Sequence, residues 1–297
     1  MAFAHPEYLV STEALAAELG APDLRILDCT VFLRMAPNED GKQRMVIESG
    51  HDYYQQGHIP GAAFADLVTD LSDPDARLRF TAPSAERFAE AMSRLGVGEG
   101  TRVVCYDANM TMWATRVWWL LRAFGFDNAA VLDGGWKKWT LEGRPSTTEV
   151  PNYPPANFEA RPRPEMFADK DDVLAAIGAG DTCIINALRP EQHSGEASGG
   201  YARPGHIAGS VNVSAVHALD PQTNAYLPAE ELRTRFADAG AETAGKIITY
   251  CGGGIAATSD AFVLRLLGKE NVAVYDGSLS EWAADPALPM ATSATAG

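Results

Sequence analysis

The sequence predicts two tandem α/β domains, each a mostly parallel sheet with helices on both faces. Three observations predict this. Segments of the first half return in the second half in the same order. Short apolar runs alternate with stretches of helical spacing in both halves. A proline-rich stretch separates the two copies. The chain has 297 residues, and a domain typically takes about 100–200, so two domains fit the length.

The repeat comes first because self-similarity at a fixed period decides architecture. Gly57-His58-Ile59-Pro60-Gly61-Ala62 returns as Gly205-His206-Ile207-Ala208-Gly209-Ser210. Val103–Asp107 returns as Ile247–Cys251, and Leu132–Trp139 returns as Tyr275–Trp282. The offsets are 148, 144 and 143 residues. Within the first copy, Leu24–Leu27, Val103–Tyr106 and Ala129–Leu132 are expected as buried strands, and Ser84–Leu95 and Ala114–Phe124 as helices. Their counterparts are the strands Thr182–Ile185, Ile247–Tyr250 and Val272–Tyr275 and the helices Pro228–Ala239 and Ala257–Leu267. Strands alternating with helices imply a parallel sheet covered on both sides. The domains are expected at 1–148 and 160–297. The prolines at 151, 154, 155, 162 and 164 remove donors and fix φ, so the stretch between the copies reads as an extended, semi-rigid linker. The tail after Trp282 is expected to fray.

Composition excludes several partners. Lys and Arg number 24 and Asp and Glu 39, for a net charge of −15. An acidic surface repels nucleic acid and anionic membrane, and any anion site must be built locally. No apolar run is long enough to span a bilayer, and the first residues lack the pattern of a signal peptide. Cys29, Cys105, Cys183 and Cys251 form no CxxC pair, so neither a disulfide framework nor a metal site is expected. This usage fits a reduced, cytoplasmic setting.

The chemistry is expected in one loop. Ile247–Tyr250 reads as a buried strand, Cys251-Gly252-Gly253-Gly254 follows, and a helical pattern begins after Ile255 and Ala256. Ligands of open α/β sheets bind at the carboxyl ends of strands. A helix start offers unpaired N–H groups and a positive dipole end. Glycines let successive amides converge into an anion nest. A thiolate or persulfide would be stabilised there, with no metal, cofactor or basic residue. Phosphate ester cleavage, redox chemistry and sulfur transfer all use such a loop. The first is weakened because 251–259 holds no arginine to clamp phosphate.

The tandem Gly-His-Ile-x-Gly motifs, the Cys-Gly-x-Gly loop and the Asp276-Gly277-Ser278 to Trp282 segment resemble tandem-rhodanese sulfurtransferases, the family of thiosulfate and 3-mercaptopyruvate sulfurtransferases. The resemblance covers nearly the whole chain. It implies two rhodanese folds, with a catalytic cysteine, Cys251, only in the second. That cysteine would take sulfane sulfur from a small-molecule donor and pass it to cyanide, a thiol or another nucleophile. The alternative is a persulfide carrier that delivers sulfur to a protein partner. The first copy has Asp107 in place of the cysteine, and its loop, 108–113, has no glycine to form a nest. The N-terminal half is then a scaffold.

The resemblance has two departures. The loop Cys251-Gly252-Gly253-Gly254-Ile255-Ala256-Ala257 lacks the serine typical of mercaptopyruvate enzymes and the basic residues typical of thiosulfate enzymes, which leaves the donor open. The usual Asp-Ala/Ser-Arg is Asn186-Ala187-Leu188-Arg189. The expected donor-binding set is therefore Gly252, Gly253, Gly254, Ile255 and Ala256, with Arg189 and Arg203 as candidate anion-binding cations. His58 and His206 are expected to be structural within their turns. Asp276 and Trp282 are expected to buttress the loop, and Cys29, Cys105 and Cys183 to pack.

Overall fold

The computed structural model describes residues 2–37, 43–197 and 199–293. Two five-stranded sheets share one topology. In the first the order is Leu9–Val10, Ala129–Leu132, Arg102–Tyr106, Leu24–Asp28, Ala62–Phe64. In the second it is Phe167–Ala168, Val272–Tyr275, Lys246–Tyr250, Thr182–Asn186, Val211–Asn212. Every pairing in both sheets is parallel. The strands Arg102–Tyr106 and Lys246–Tyr250 stand at the centre and bury nearly every residue. Burial on both faces explains why they read as continuous apolar runs rather than as alternation. Two antiparallel pairs lie outside these sheets: Val31–Pro37 with Gln43–Ser49, and His206–Ile207 with Met290–Ala291.

The four expected helices form as Ala85–Arg94, Met112–Ala123, Ala229–Asp238 and Ala256–Leu266. Ser84 caps the first, its hydroxyl accepting the Arg87 N–H at 3.3 Å, as a serine N-cap does. The helices Met112–Ala123 and Ala256–Leu266 are buried almost all round. Each directly follows the central strand of its sheet, so the strand-to-helix junction is the same feature in both copies.

The chain divides into two compact units in a way the linear cut at 1–148 and 160–297 does not capture. One unit comprises 9–74 and 82–162, and the other 1–8, 75–81 and 163–297. The first residues join the C-terminal unit because the Ala4 and His5 amides donate to the Leu266 carbonyl at 2.9 and 3.2 Å. The proline-rich stretch is not a free linker. It is strapped onto the N-terminal unit, with Ala156 N–H donating to Ser93 O at 3.0 Å and Arg161 N–H to Phe124 O at 2.8 Å. Tyr153 donates from its hydroxyl to Gly61 O at 2.6 Å. Phe158 is buried against Phe88 and Phe126. Proline content correctly implied an extended backbone, but the two aromatics decide where it lies.

The segment after Trp282 is also held rather than frayed. Leu288 is buried, and Met290–Ala291 pairs with His206–Ile207. The last residues, 294–297, lie outside the described range. Because the Phe158 ring anchors the strap, Phe158→Ala is expected to destabilise the protein by about 3 kcal/mol. The check is the urea midpoint of unfolding followed by tryptophan fluorescence.

Candidate active site

Cys251 ends the central strand of the C-terminal unit and is 3% exposed. The helix Ala256–Leu266 starts five residues on. The strand's last residue, Tyr250, sets the entry to the loop. Its hydroxyl accepts the Ile207 N–H at 3.0 Å and pairs with Ser210 Oγ at 2.7 Å. In the N-terminal unit Tyr106 accepts the Ile59 N–H at 3.3 Å. The repeated Gly-His-Ile-x-Gly turn is therefore the socket for the tyrosine that precedes each loop.

The histidines of those turns are structural. His58 is buried, bonded through its ring to Tyr54 O and Glu149 O at 2.8 and 3.1 Å, and stacked on Tyr54. His206 stacks on His193 at 3.8 Å and bonds His193 O through Nδ1 at 2.7 Å. Burial first, and then His206, push the His193 imidazolium down to about 4, so His193 is neutral near pH 7. Asn186 donates from Nδ2 to His193 Nδ1 at 3.2 Å, and its Oδ1 accepts the Leu188 N–H at 3.0 Å. Asp28 makes the matching turn in the other copy, accepting the Thr30 N–H at 3.0 Å. An aspartate at 186 could only accept and would draw a proton onto His193; asparagine keeps the pair neutral.

The far side of the loop is held by the turn before the helix Ser278–Trp282. Ser278 is fully buried, and its Oγ accepts the amides of Cys251 and Gly254 at 3.1 and 3.2 Å. The same hydroxyl donates to Tyr275 O at 2.7 Å. Leu279 and Ser280 donate their amides to the carbonyls of Cys251 and Gly252 at 3.1 and 2.9 Å. Trp282 is buried, its Nε1 donating to Pro289 O at 3.0 Å. Two of the amides expected to face an anion are thus already taken by a neighbouring hydroxyl. The amides of Gly252, Gly253 and Ile255 donate to no acceptor among the described residues.

The three glycines serve different needs. Gly254 has φ +74°, which a residue with a side chain rarely adopts. At Gly252 a methyl group would overlap the Tyr201 hydroxyl, the far end of a half-buried side chain that would have to shift. Gly253 meets nothing nearer than ordinary contact: Ser280 Oγ at 3.9 Å and Arg79 O at 4.0 Å.

The N-terminal copy corrects the expectation that its loop cannot form a nest. Asp107 is fully buried, and its carboxylate accepts the amides of Asn109, Thr111, Trp113 and Ala114 at 2.7–3.2 Å. Thr111 supplies the left-handed turn at φ +60°, at a cost of order 1 kcal/mol for a β-branched residue. The nest exists without glycine, and the protein's own carboxylate fills it. Trp136 N–H donates to Asp107 O at 3.0 Å, as Leu279 does to Cys251.

The two candidate cations fare differently. Arg203 is committed elsewhere. Its guanidinium donates to the carbonyls of Trp282, Ala283, Asp285 and Leu288 at 2.6–3.0 Å. It holds the segment after Trp282 and is not available to a donor anion. Arg189 stands exposed at the start of the short helix Pro190–Ser194, and its guanidinium has no partner among the described residues. Leu188, at the position where the family usually has arginine, packs against the core. Sequence reasoning missed Tyr201, Ser278 and the segment 75–81. That segment belongs to the same compact unit as Cys251 and carries the exposed Arg77 and Arg79. The order of residues gives no signal that a stretch so far upstream lies beside the loop.

Among the described residues no cluster of His, Cys, Asp or Glu could hold a metal ion, and no helix is long and apolar enough to cross a membrane. All four cysteines are free.

Comparison with known proteins places this architecture. The rhodanese-like domain model matches residues 11–142 and again 169–285. The sulfur carrier protein TtuD of Thermus thermophilus is 34% identical over 98% of this chain and 99% of its own length. The human 3-mercaptopyruvate sulfurtransferase is 32% identical over 92% of this chain and 91% of its own length. The crystal structure of the 3-mercaptopyruvate sulfurtransferase SseA from Escherichia coli matches with a TM-score of 0.77 at 31% identity, covering 91% of this chain and 98% of that one. The chain belongs to the rhodanese family, as two rhodanese-like domains in tandem.

Two outcomes follow from the site's geometry. Arg203→Ala is expected to destabilise the fold by about 3 kcal/mol, because four carbonyls lose a charged donor. Arg203→Lys is not expected to restore it, since one ammonium cannot span the four; urea unfolding of both variants is the check. Burial raises the Asp107 carboxyl to about 6 against the pull of its four amides. A raised acid pKa means that the folded state binds the extra proton, so this group's contribution falls as pH rises from about 4 to 6. The loss is about 3 kcal/mol. In Asp107→Asn that contribution is absent, and the difference in melting temperature between the two proteins is expected to change across pH 4–6 and to be flat above it.

Proposed function

We propose that the protein is a sulfurtransferase that carries sulfane sulfur on Cys251 as a persulfide, between thiosulfate or 3-mercaptopyruvate and a thiophilic acceptor such as cyanide or a thiol. The observation that carries this reading is a nearly buried cysteine at a strand end. Its loop presents the unaccepted amides of Gly252, Gly253 and Ile255 and holds no basic side chain between 251 and 259. Amides fixed in this way favour an anion without reorganising. Asp107 is the internal precedent, with the same junction closed on a carboxylate.

The chemistry balances simply. The Cys251 thiolate attacks the outer sulfur of the donor, an S–S bond forms, and the bond from that sulfur to the donor breaks. Its electron pair departs with sulfite or the enolate of pyruvate. The acceptor then attacks the outer sulfur, and the S–S electron pair returns to Cys251 Sγ. In this reading Gly252, Gly253, Gly254, Ile255 and Ala256 line the sulfur. The free guanidinium of Arg189 draws the donor anion toward an otherwise acidic surface. The N-terminal domain is non-catalytic, because a carboxylate at 107 cannot carry sulfur. A reduced compartment, the cytoplasm, suits a working thiol.

A second reading has a specific observation in its favour. The relative TtuD, at 34% identity, is named a sulfur carrier. With Arg203 unavailable and Leu188 packed against the core, little is left to bind a small anionic donor tightly. A protein that loads slowly from small donors and delivers its sulfur to a protein partner fits that arrangement.

Incubation with thiosulfate or 3-mercaptopyruvate is expected to add one sulfur, about 32 Da, to the intact mass, and the gain is expected to vanish in Cys251→Ser. Thiocyanate production with cyanide supports the enzyme, whereas a persulfide that turns over on no small acceptor supports the carrier. No adduct from any donor would contradict both.

A further inference from the structure

Tyr201 lies in none of the repeated motifs, yet its hydroxyl occupies the place where a side chain at Gly252, the residue after Cys251, would begin. Its ring packs against the core that contains Tyr250, Tyr275 and Trp282. Two glycines make room for it. A Cβ at Gly199 would lie 2.6 Å from its ring, and one at Gly252 would overlap its hydroxyl. The ring therefore lies in the space that both glycines leave open, and its O–H stands at the start of the sulfur loop. That hydroxyl makes no hydrogen bond to any described residue. The residue is half-buried, and the polar tip of a phenol favours a hydrogen-bond partner. Burial first, and then the charge of Cys251, hold its proton well above the usual phenol range, so it is a donor at every physiological pH.

We propose that the Tyr201 hydroxyl, which makes no hydrogen bond to any described residue in the sulfur-free chain, donates one to Cys251 Sγ as negative charge gathers there during sulfur discharge, and that Gly252 is glycine because this hydroxyl occupies the space of its side chain. The proposal rests on the sulfur-transfer reading and adds a catalytic residue to it. Its effect falls on the discharge step. The acceptor's lone pair attacks the outer sulfur and forms the new bond, the S–S bond breaks, and its electron pair goes to Cys251 Sγ. Negative charge gathers on Sγ at that moment. Tyr201 donates to it while keeping its own proton, which stabilises the leaving thiolate in a site that has no cation in the loop.

The test uses the full chain, loaded with sulfur and discharged to cyanide under single-turnover and steady-state conditions. Tyr201→Phe keeps the ring between its two glycines and removes only the hydroxyl. Discharge is expected to slow roughly 10- to 100-fold, the effect of losing a hydrogen bond to a charged group. One sulfur per chain and the thermal midpoint are expected to be retained. The steady-state kcat should fall with KM for cyanide unchanged, as for an interaction made in the transition state; a displaced loop would move both. Gly252→Ala is expected to slow discharge by pushing the hydroxyl aside, and Tyr201→Phe combined with Gly252→Ala to be no slower than the worse single variant. A Phe variant that discharges at the wild-type rate overturns the proposal, and so do additive effects in the double variant. A wild-type chain that accepts no sulfur overturns the sulfur-transfer reading and this proposal with it, whereas a loaded wild type beside an unimpaired Phe variant overturns the proposal alone.

Discussion

The structure turns on one constraint, the need of the backbone amides at a strand-to-helix junction for an acceptor. A helix start leaves N–H groups without intrahelical partners, and here the junction is partly buried, which restricts the water that could serve them. The two copies meet the same need in two ways. In the N-terminal copy Asp107 turns its own carboxylate into the junction and takes four amides. In the C-terminal copy Ser278 takes two, and three more are left beside a cysteine. A closed junction is a structural element, and an open one is a place for an anionic sulfur. The difference between a scaffold domain and a reactive one is, on this view, which atom completes the nest.

The remaining parts of the C-terminal unit keep that junction in place. Tyr250 is socketed in the Gly-His-Ile turn, Ser278 clamps the loop from the next strand's end, and Arg203 holds the segment after Trp282 against its own domain. His193 and Asn186 meet as neutral partners beneath. A buried unpaired charge beside the loop would compete with the charge on sulfur, and this pairing avoids one. Each of these contacts is internal to one compact unit, which lets the sulfur loop be rigid.

Much of this was legible in the sequence because the repeat is compact and the central strands are long. Three motifs in register gave the duplication, and continuous apolar runs gave the buried parallel strands. The two- and three-residue strands such as Leu9–Val10 and Val211–Asn212 escaped, since so short a run carries no periodicity. Cys251 and its glycines were visible as a junction. The distribution of amides was not, because Ser278 acts from 27 residues downstream. Arg203 looked like an anion ligand by charge alone. Its role came from carbonyls about 80 residues on, a relation that composition cannot express. The N-terminal nest was missed because glycine was used as its marker, whereas Thr111 adopts the left-handed turn and an aspartate rewards it.

The most direct test of the nest is a crystal structure of the sulfur-loaded protein, phased or checked with sulfur anomalous scattering. The account predicts a second sulfur on Cys251 within hydrogen-bond distance of the amides of Gly252, Gly253 or Ile255. A persulfide that points away from those amides into solvent, or one carried on Cys29, Cys105 or Cys183 instead, would contradict it.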